Sequence, residues 1–293
     1  MPAEIPGFEE RVVEARCGRV RSLVGGEGPP IVLVHGLTGA ASNFVSLAPL
    51  LSSRFRVLVP ELPGHGGSPP LAAAPNLDAL AEPVHAAASA EGMLPAVVVG
   101  HSLGGLVALR LAMRRPDAVR GLVLAGAAGI ASATRWAEFW LSFFGRLELG
   151  RRIAPQRGLY ARRPRLRYVP FGYWGASDPP ALGPDQVVGF LAGPERHTDT
   201  WSAMEVLVRD DPRLDLERVT APALVLWGAR DRQVPIDDAF EYARRLRAPL
   251  RTIADCGHLL VGERPDACAD AIGAFLDRIG EVDELPVQSE ALG

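Results

Sequence analysis

The chain has 293 residues with a formal net charge of −3, and 48% of its residues are hydrophobic. A chain of this length buries enough surface for one large core or two smaller ones, and the balanced charge gives no reason to expect nucleic acid as a partner. The sequence has no run of the roughly 18 apolar residues that a membrane span needs, and its first residues lack the basic and apolar regions of a signal peptide.

Short strands alternate with helices in the first 128 residues. Residues 10–24 alternate between apolar and polar side chains on both sides of Cys17-Gly18, which predicts an antiparallel hairpin. Further strands are predicted from β-branched or apolar runs at 31–34, 56–60, 96–99 and 121–125. Helices are predicted at 43–51, where Ser42 can cap the first turn, at 77–90, where Pro83 is an irregularity, and at 103–113.

The alternation stops after residue 128 and resumes near residue 223. Between 130 and 210 the sequence gives helical stretches and Pro/Gly/Arg-rich connectors but no strand of this kind. A strand at 223–228, a helix at 236–247, a strand at 250–254 and a helix at 265–279 then follow. Short links between strands and helices predict a parallel sheet with helices on both faces. We therefore predict a core of residues 1–128 and 211–280, a helical insertion at 129–210, and a disordered acidic tail at 281–293.

The three cysteines, Cys17, Cys256 and Cys268, are odd in number and scattered along the chain. This pattern argues against a disulfide framework and favours reduced thiols, so we expect a cytoplasmic protein. All 31 basic residues are arginine, and the chain contains no lysine. The sequence gives no prediction of the oligomeric state.

The sequence Gly100-His101-Ser102-Leu103-Gly104 joins the strand at 96–99 to the helix at 103–113. A strand that turns directly into a helix strains the residue between them, so the residues two before and two after it must be nearly free of side chain. Gly100 and Gly104 meet this demand, and the helix N-terminus beside Ser102 favours negative charge there. The segment resembles the nucleophile elbow of the α/β-hydrolase family.

This resemblance implies an α/β fold with a mostly parallel eight-stranded sheet, helices on both faces and an inserted helical cap. It also implies a catalytic triad in the order serine, acid, histidine, with Ser102 as the nucleophile. Asp231 follows the strand at 223–228, where the family has its acid, and His258 follows the last strand, where it has its base. Asp237, Asp238 and Asp255 are the rival acids, but the first two begin a helix and the third stands too early.

The resemblance further implies two backbone N–H donors for an oxyanion. One is Leu103, the residue after the nucleophile. The other is Leu37, because His35-Gly36-Leu37 follows the first parallel strand and resembles the family's HG-x pattern. Of the remaining histidines, His85 and His197 are interpreted as ordinary helix-face residues.

The insertion contains an apolar stripe at helical spacing, formed by Trp136, Phe139, Trp140, Phe143, Phe144 and Leu147. Such a stripe usually packs in a core. Because the family's caps emerge at this point of the chain, the resemblance implies that Trp136, Phe139, Trp140 and Phe143 contact the substrate.

Eight arginines and one acidic residue lie between Arg146 and Arg167. We interpret this run as a solvated basic surface. Some esterases of the family dock an acyl carrier protein on cap arginines, which is the less favoured interpretation.

The function that the resemblance implies is hydrolysis of a carboxylic ester with a small to medium acyl group, through an acyl-enzyme and without a cofactor. The partner is then a small-molecule ester, and no pair of histidines has the spacing of a metal site. Dehalogenases and epoxide hydrolases of the family carry Asp at the position of Ser102, and its hydroxynitrile lyases need a lysine. Haloperoxidases and perhydrolases without a cofactor share the triad and stay alternatives. C–C bond hydrolases match less well in the HG loop, and a ligand-binding member without catalysis is an alternative of another class.

Overall fold

The computed structural model describes residues 5–16, 18–71, 74–129, 149–172, 175–209 and 215–284. The strands in these residues are β1 (Glu9–Ala15), β2 (Gly18–Gly25), β3 (Pro30–Val34), β4 (Arg56–Pro60), β5 (Ala96–His101), β6 (Val119–Ala125), β7 (Ala223–Gly228) and β8 (Leu250–Ile253). They form one sheet in the order β1-β2-β4-β3-β5-β6-β7-β8. β2 is antiparallel to β1 and β4, and every other neighbouring pair is parallel.

The α-helices are α1 (Leu47–Ser52), α2 (Leu77–Ala90), α3 (Leu103–Arg114), α4 (Leu149–Ile153), α5 (Arg157–Arg162), α6 (Tyr168–Phe171), α7 (Pro184–Ala192), α8 (Trp201–Arg209), α9 (Ile236–Leu246), α10 (Leu260–Glu263) and α11 (Pro265–Glu284). Within the residues that the structure describes, no helix is both long and apolar enough to cross a membrane.

The sheet is covered on both faces, which explains the unbroken valine run in β5. Val98 packs into a buried cluster with side chains of α2, α3 and α9. Val97 and Val99 point to the opposite face and join a second cluster with side chains of α1 and α11. Because successive strand residues alternate between faces, a strand covered on both sides needs an apolar residue at every position. The predicted mostly parallel eight-stranded sheet is therefore confirmed.

Two predicted elements differ from the structure. The helix predicted at 43–51 is a 3₁₀-helix, Ala41–Phe44, followed by α1. Ser42 caps neither of them, because its hydroxyl donates instead to the carbonyl oxygen of Gly189 at 2.7 Å. The last helix also extends to Glu284, four residues into the segment predicted as a disordered tail, and the rest of that tail lies outside the described residues.

Residues 149–172 and 175–209 form short helices and turns between β6 and β7. The buried guanidinium of Arg167 holds several of these turns together by donating to carbonyl oxygens of Tyr160, Ala161, Pro180 and Leu182. A buried cation is stable only when its donors are satisfied. The four carbonyl contacts therefore stabilise both the buried arginine and the turns that it joins. The boundaries 129 and 210 of a separate cap domain stay a proposal.

Candidate active site

Ser102 occupies the turn between β5 and α3 with φ 54° and ψ −119°. A Cβ on Gly100 would lie 2.2 Å from the carbonyl oxygen of Gly104, and a Cβ on Gly104 would lie 2.2 Å from that of Val34. Both positions therefore require glycine. The backbone of Ser102 is held from both sides, because its N–H donates to Ala125 O at 3.1 Å and its carbonyl accepts from Gly105 and Ala128. These contacts hold a positive φ that a serine rarely adopts.

Asp231 and His258 form a buried pair after β7 and β8. Nδ1 of His258 lies 2.8 Å from Oδ2 of Asp231, and the two side chains are 3% and 1% exposed. The other carboxylate oxygen, Oδ1, accepts the N–H groups of Gln233 at 2.8 Å and Val234 at 2.9 Å. Because a carboxylate only accepts, Nδ1 of His258 carries the proton, and Nε2 is left as the basic nitrogen.

The end of β6 links this pair to Ser102. The Ser102 N–H donates to Ala125 O, and a Cβ on the next residue, Gly126, would lie 3.5 Å from His258 Nδ1 and 3.6 Å from Asp231 Oδ2. The three predicted catalytic residues thus lie around the end of β6, at the carboxyl edge of the sheet.

The rival acid Asp255 has a different position. Its carboxylate is exposed and forms an ion pair with Arg230 at 2.5 Å. The His258 ring pairs with Asp231 instead, so the geometry favours Asp231 over Asp255 as the group that orients the histidine.

Two polar groups outside the predicted set hold the loop that carries His258. Glu263 accepts the N–H groups of Gly257 at 3.0 Å and Ser177 at 2.7 Å. His101 lies within hydrogen-bond distance of the His258 carbonyl oxygen, with Nε2 at 2.8 Å. Burial raises the pKa of Glu263 and lowers that of His101 to about 3. In the sequence, Glu263-Arg264-Pro265 indicates only the start of a helix. Nothing near Glu263 in the sequence predicts that its carboxylate holds this loop.

The segment with the predicted oxyanion donor Leu37 lies against the elbow. A Cβ on Gly36 would lie 3.0 Å from Cβ of Ser102, so the HG loop passes directly beside the serine. Leu103 begins α3, where its N–H lies in the first turn. Neither N–H donates to another residue of the described part of the chain, so both remain available as hydrogen-bond donors.

Three histidine rings bridge the loop at 35–39 to the loop at 62–66. His35 and His65 have ring centroids 5.2 Å apart, and His65 and His197 have centroids 5.0 Å apart. One nitrogen of each ring accepts a backbone N–H: Leu62 donates to His35, Thr38 to His65 and Gly66 to His197. The other nitrogen of each ring lies 2.8–2.9 Å from a carbonyl oxygen, namely Gly36 O, Pro63 O and Thr38 O respectively.

A ring nitrogen that accepts an N–H is unprotonated, so these contacts require all three histidines to be neutral. Burial agrees with this requirement, because it is the largest cause that lowers the pKa of His35, His65 and His197. The pKa of His197 falls to about 4, and that of His65 lies well below its usual value. With six ring nitrogens on six backbone groups, this cluster has none left for a metal ion.

The earlier interpretation of His197 as a helix-face residue is wrong. His197 lies in the connection between α7 and α8, outside any helix, and reaches Thr38 and Gly66. The predicted substrate contacts Trp136, Phe139, Trp140 and Phe143 lie outside the described residues.

We expect the free energy of unfolding to fall as the pH decreases from about 6.5, the pKa of an unfolded histidine, towards 4. The folded state keeps His197 neutral down to about pH 4, so unfolding takes up a proton in this window and stability decreases as the pH falls. Above the window the contribution is fully present. Each such histidine should remove roughly 1 kcal/mol of stability per pH unit. Urea denaturation between about pH 7 and 5 measures this slope, which should be shallower by that amount in His197→Gln; equal slopes would contradict the prediction.

A family model described as alpha/beta hydrolase fold matches residues 29–265. The pimeloyl-[acyl-carrier protein] methyl ester esterase of Chromobacterium violaceum is 33% identical over 214 residues, which cover 72% of this chain and 79% of that protein. The dihydrolipoyllysine-residue acetyltransferase component of the acetoin cleaving system of Pseudomonas putida is 30% identical over 281 residues, which cover 94% of this chain and 70% of that protein. Among solved structures, a membrane phospholipase A is 28% identical with a TM-score of 0.72, covering 94% of this chain and 87% of that one.

Proposed function

Because the chain belongs to the alpha/beta hydrolase fold family, we propose that it is a serine hydrolase that cleaves a carboxylic ester of small to medium acyl size. Ser102 is the nucleophile, His258 transfers the protons, and Asp231 orients His258. The backbone N–H groups of Leu37 and Leu103 hold the oxyanion. Relatives named as methyl ester esterases support an ester as the substrate class.

One observation carries this proposal: the 2.8 Å contact of His258 Nδ1 with the buried carboxylate of Asp231, next to a serine in a strained turn. A histidine with a purely structural role needs neither a buried carboxylate on Nδ1 nor a serine in a strained turn close by. In a serine hydrolase both features are required, because the carboxylate fixes the tautomer and stabilises the imidazolium that forms.

In the first half-reaction, Oγ of Ser102 attacks the ester carbonyl while Nε2 of His258 accepts the hydroxyl proton. The tetrahedral oxyanion accepts hydrogen bonds from Leu37 and Leu103. Its collapse breaks the ester C–O bond, and His258 returns the proton to the departing alcohol. Water then attacks the acyl-enzyme with the same histidine as base, which releases the carboxylic acid and restores Ser102.

A fluorophosphonate probe with intact-mass readout tests this proposal, together with a panel of p-nitrophenyl esters of increasing chain length. We expect one covalent adduct per chain and measurable turnover of the shorter esters. A chain that takes up no probe and hydrolyses no ester would support the ligand-binding alternative. Bromination or peracid formation in the presence of peroxide would instead favour the haloperoxidase and perhydrolase alternatives.

The apolar stripe at 136–147 is proposed to roof the acyl pocket. We then expect Trp140→Ala to change the chain-length preference by an order of magnitude, since each methylene in an apolar contact contributes about 0.8 kcal/mol. If the stripe is plain core, the same change should cost about 3–5 kcal/mol of stability and leave relative rates across the panel unchanged. Melting temperature and ester profile, measured on the same variant, separate the two outcomes.

A carrier-bound acyl ester is a second candidate substrate. Residues 149–177 contain no acidic residue, and Arg151, Arg152, Arg162, Arg163 and Arg165 are exposed. Such a surface is complementary to an acidic carrier protein. A higher kcat/KM for a carrier-bound ester than for the free ester, lost at high salt, would favour this candidate.

The two described cysteines, Cys256 and Cys268, are free, which is in keeping with the proposed cytoplasmic location.

A further inference from the structure

Three consecutive peptide groups of the loop beside Ser102 are each held by a different histidine ring. The Gly36–Leu37 peptide is held through Gly36 O, which lies 2.8 Å from His35 Nδ1 and also accepts the Gly39 N–H. A trans peptide is planar, with its C=O and N–H pointing in opposite directions. Fixing Gly36 O therefore fixes the direction of the Leu37 N–H, the proposed oxyanion donor.

The next two peptide groups meet at Thr38, and His65 and His197 hold them. The Thr38 N–H donates to His65 Nε2 at 3.2 Å, and Thr38 O accepts from His197 Nε2 at 2.8 Å. Thr38 has φ 56°, a conformation that a β-branched residue adopts only under constraint. Loss of these contacts would let Thr38 relax, and the orientation of the Gly36–Leu37 peptide, which carries the Leu37 N–H, would then rely on the contacts of Gly36 O.

His197 differs from the other two rings because it comes from the insertion between β6 and β7. Its segment is fixed on the loop at 62–66, where Gly64 O accepts the N–H groups of Thr198 and Asp199 at 2.9 and 3.1 Å. Its ring then spans from Gly66 N–H on one side to Thr38 O on the other. The insertion thereby contacts the oxyanion loop through the side chain of His197.

We propose that His197 is a positioning residue of the oxyanion hole, which holds Thr38 in its left-handed conformation and so directs the Leu37 N–H at the substrate carbonyl. This inference rests on the proposed function of Ser102. It assigns to the insertion a part in transition-state stabilisation that is separate from any contact with the acyl chain.

Two variants separate the two hydrogen bonds of the His197 ring, because each variant keeps one of them. His197→Gln keeps an amide N–H near the position of Nε2, so that it can still donate to Thr38 O. His197→Asn has an oxygen near the position of Nδ1, so that it can accept the Gly66 N–H but cannot reach Thr38 O. His85→Ala is the matched control, because His85 is also half-buried but lies on α2, which packs on α3.

For each variant we would measure kcat and KM on the best ester of the panel, the inhibition constant of an aryl trifluoromethyl ketone, and fluorophosphonate adducts per chain. The ketone forms a tetrahedral oxyanion with the serine and so reports on the oxyanion hole. His197→Asn should lower kcat at least about tenfold. Complete loss of an oxyanion donor lowers kcat a hundredfold or more, and this variant misdirects the donor without removing it. KM should stay within about twofold, because the ground-state carbonyl makes little use of the hole.

The ketone should bind His197→Asn more weakly by the same factor as kcat falls, with one adduct per chain still formed at Ser102. His197→Gln should retain most of the activity, and His85→Ala all of it. Equal kcat in the wild type and His197→Asn would overturn the inference, as would equal losses in the Asn and Gln variants. A wild type that takes up no probe would refute the proposed function itself, and this inference with it.

Discussion

Replacing Ser102 by alanine is expected to abolish ester turnover, with kcat reduced about 10⁶-fold, the scale seen when a serine nucleophile is removed. The fold should survive with a melting temperature close to that of the wild type. The contacts that fix residue 102 use its backbone N–H and carbonyl, and alanine carries the same Cβ in the same strained conformation. The measurement is kcat on the best p-nitrophenyl ester beside a thermal melt.

Ser42→Ala is the matched control. Ser42 is also buried, but its hydroxyl donates to Gly189 O rather than facing the Asp231–His258 pair. This control should lose some stability and keep both turnover and labelling. Mass mapping of the fluorophosphonate adduct to another serine, with Ser102 unmodified, would show that the nucleophile was wrongly assigned.

The turn at Ser102 and the positions of Asp231 and His258 after their strands could be predicted because their signals are local. Two glycines two residues either side of Ser102 follow from the steric demands of the turn itself, and the valine run follows from burial on both faces. Asp231 and His258 each come directly after a strand. Because parallel strands end at the same edge of a sheet, side chains just beyond them meet whatever their separation in sequence.

The polar contacts that support the site were not predictable. Ser42 has the residue type and position of a helix cap, but its hydroxyl donates to Gly189, 147 positions along the chain. His197 is 159 positions from Thr38, and no pattern around it marks a partner. Glu61 is 1% exposed and accepts the N–H groups of Ala41 and Gly67. Such contacts depend on which loops lie next to each other in the folded protein. Hydrophobic periodicity predicts strands and helices but not the neighbours of a loop.

The acid should be the second most sensitive position. Oδ1 of Asp231 accepts two backbone N–H groups, and Oδ2 faces Nδ1 of His258. In Asp231→Asn the amide oxygen is expected to stay with the two N–H groups, which leaves the amide nitrogen, a donor, facing Nδ1. The histidine must then protonate at Nε2, and it can no longer accept the serine proton. We expect kcat to fall about 10⁴-fold, the scale of the same change in a serine protease triad.

Stability and fluorophosphonate labelling separate this tautomer effect from simple damage to the site. Asp231→Asn is isosteric, so its melting temperature should stay near that of the wild type, while labelling of Ser102 slows in parallel with kcat because both reactions need the serine proton removed. Asp255→Asn is the matched control, since Asp255 is exposed and pairs with Arg230, and it should retain full activity. Because the His258 ring can be oriented by only one of the two carboxylates, full activity in Asp231→Asn with loss in Asp255→Asn would transfer the role to Asp255.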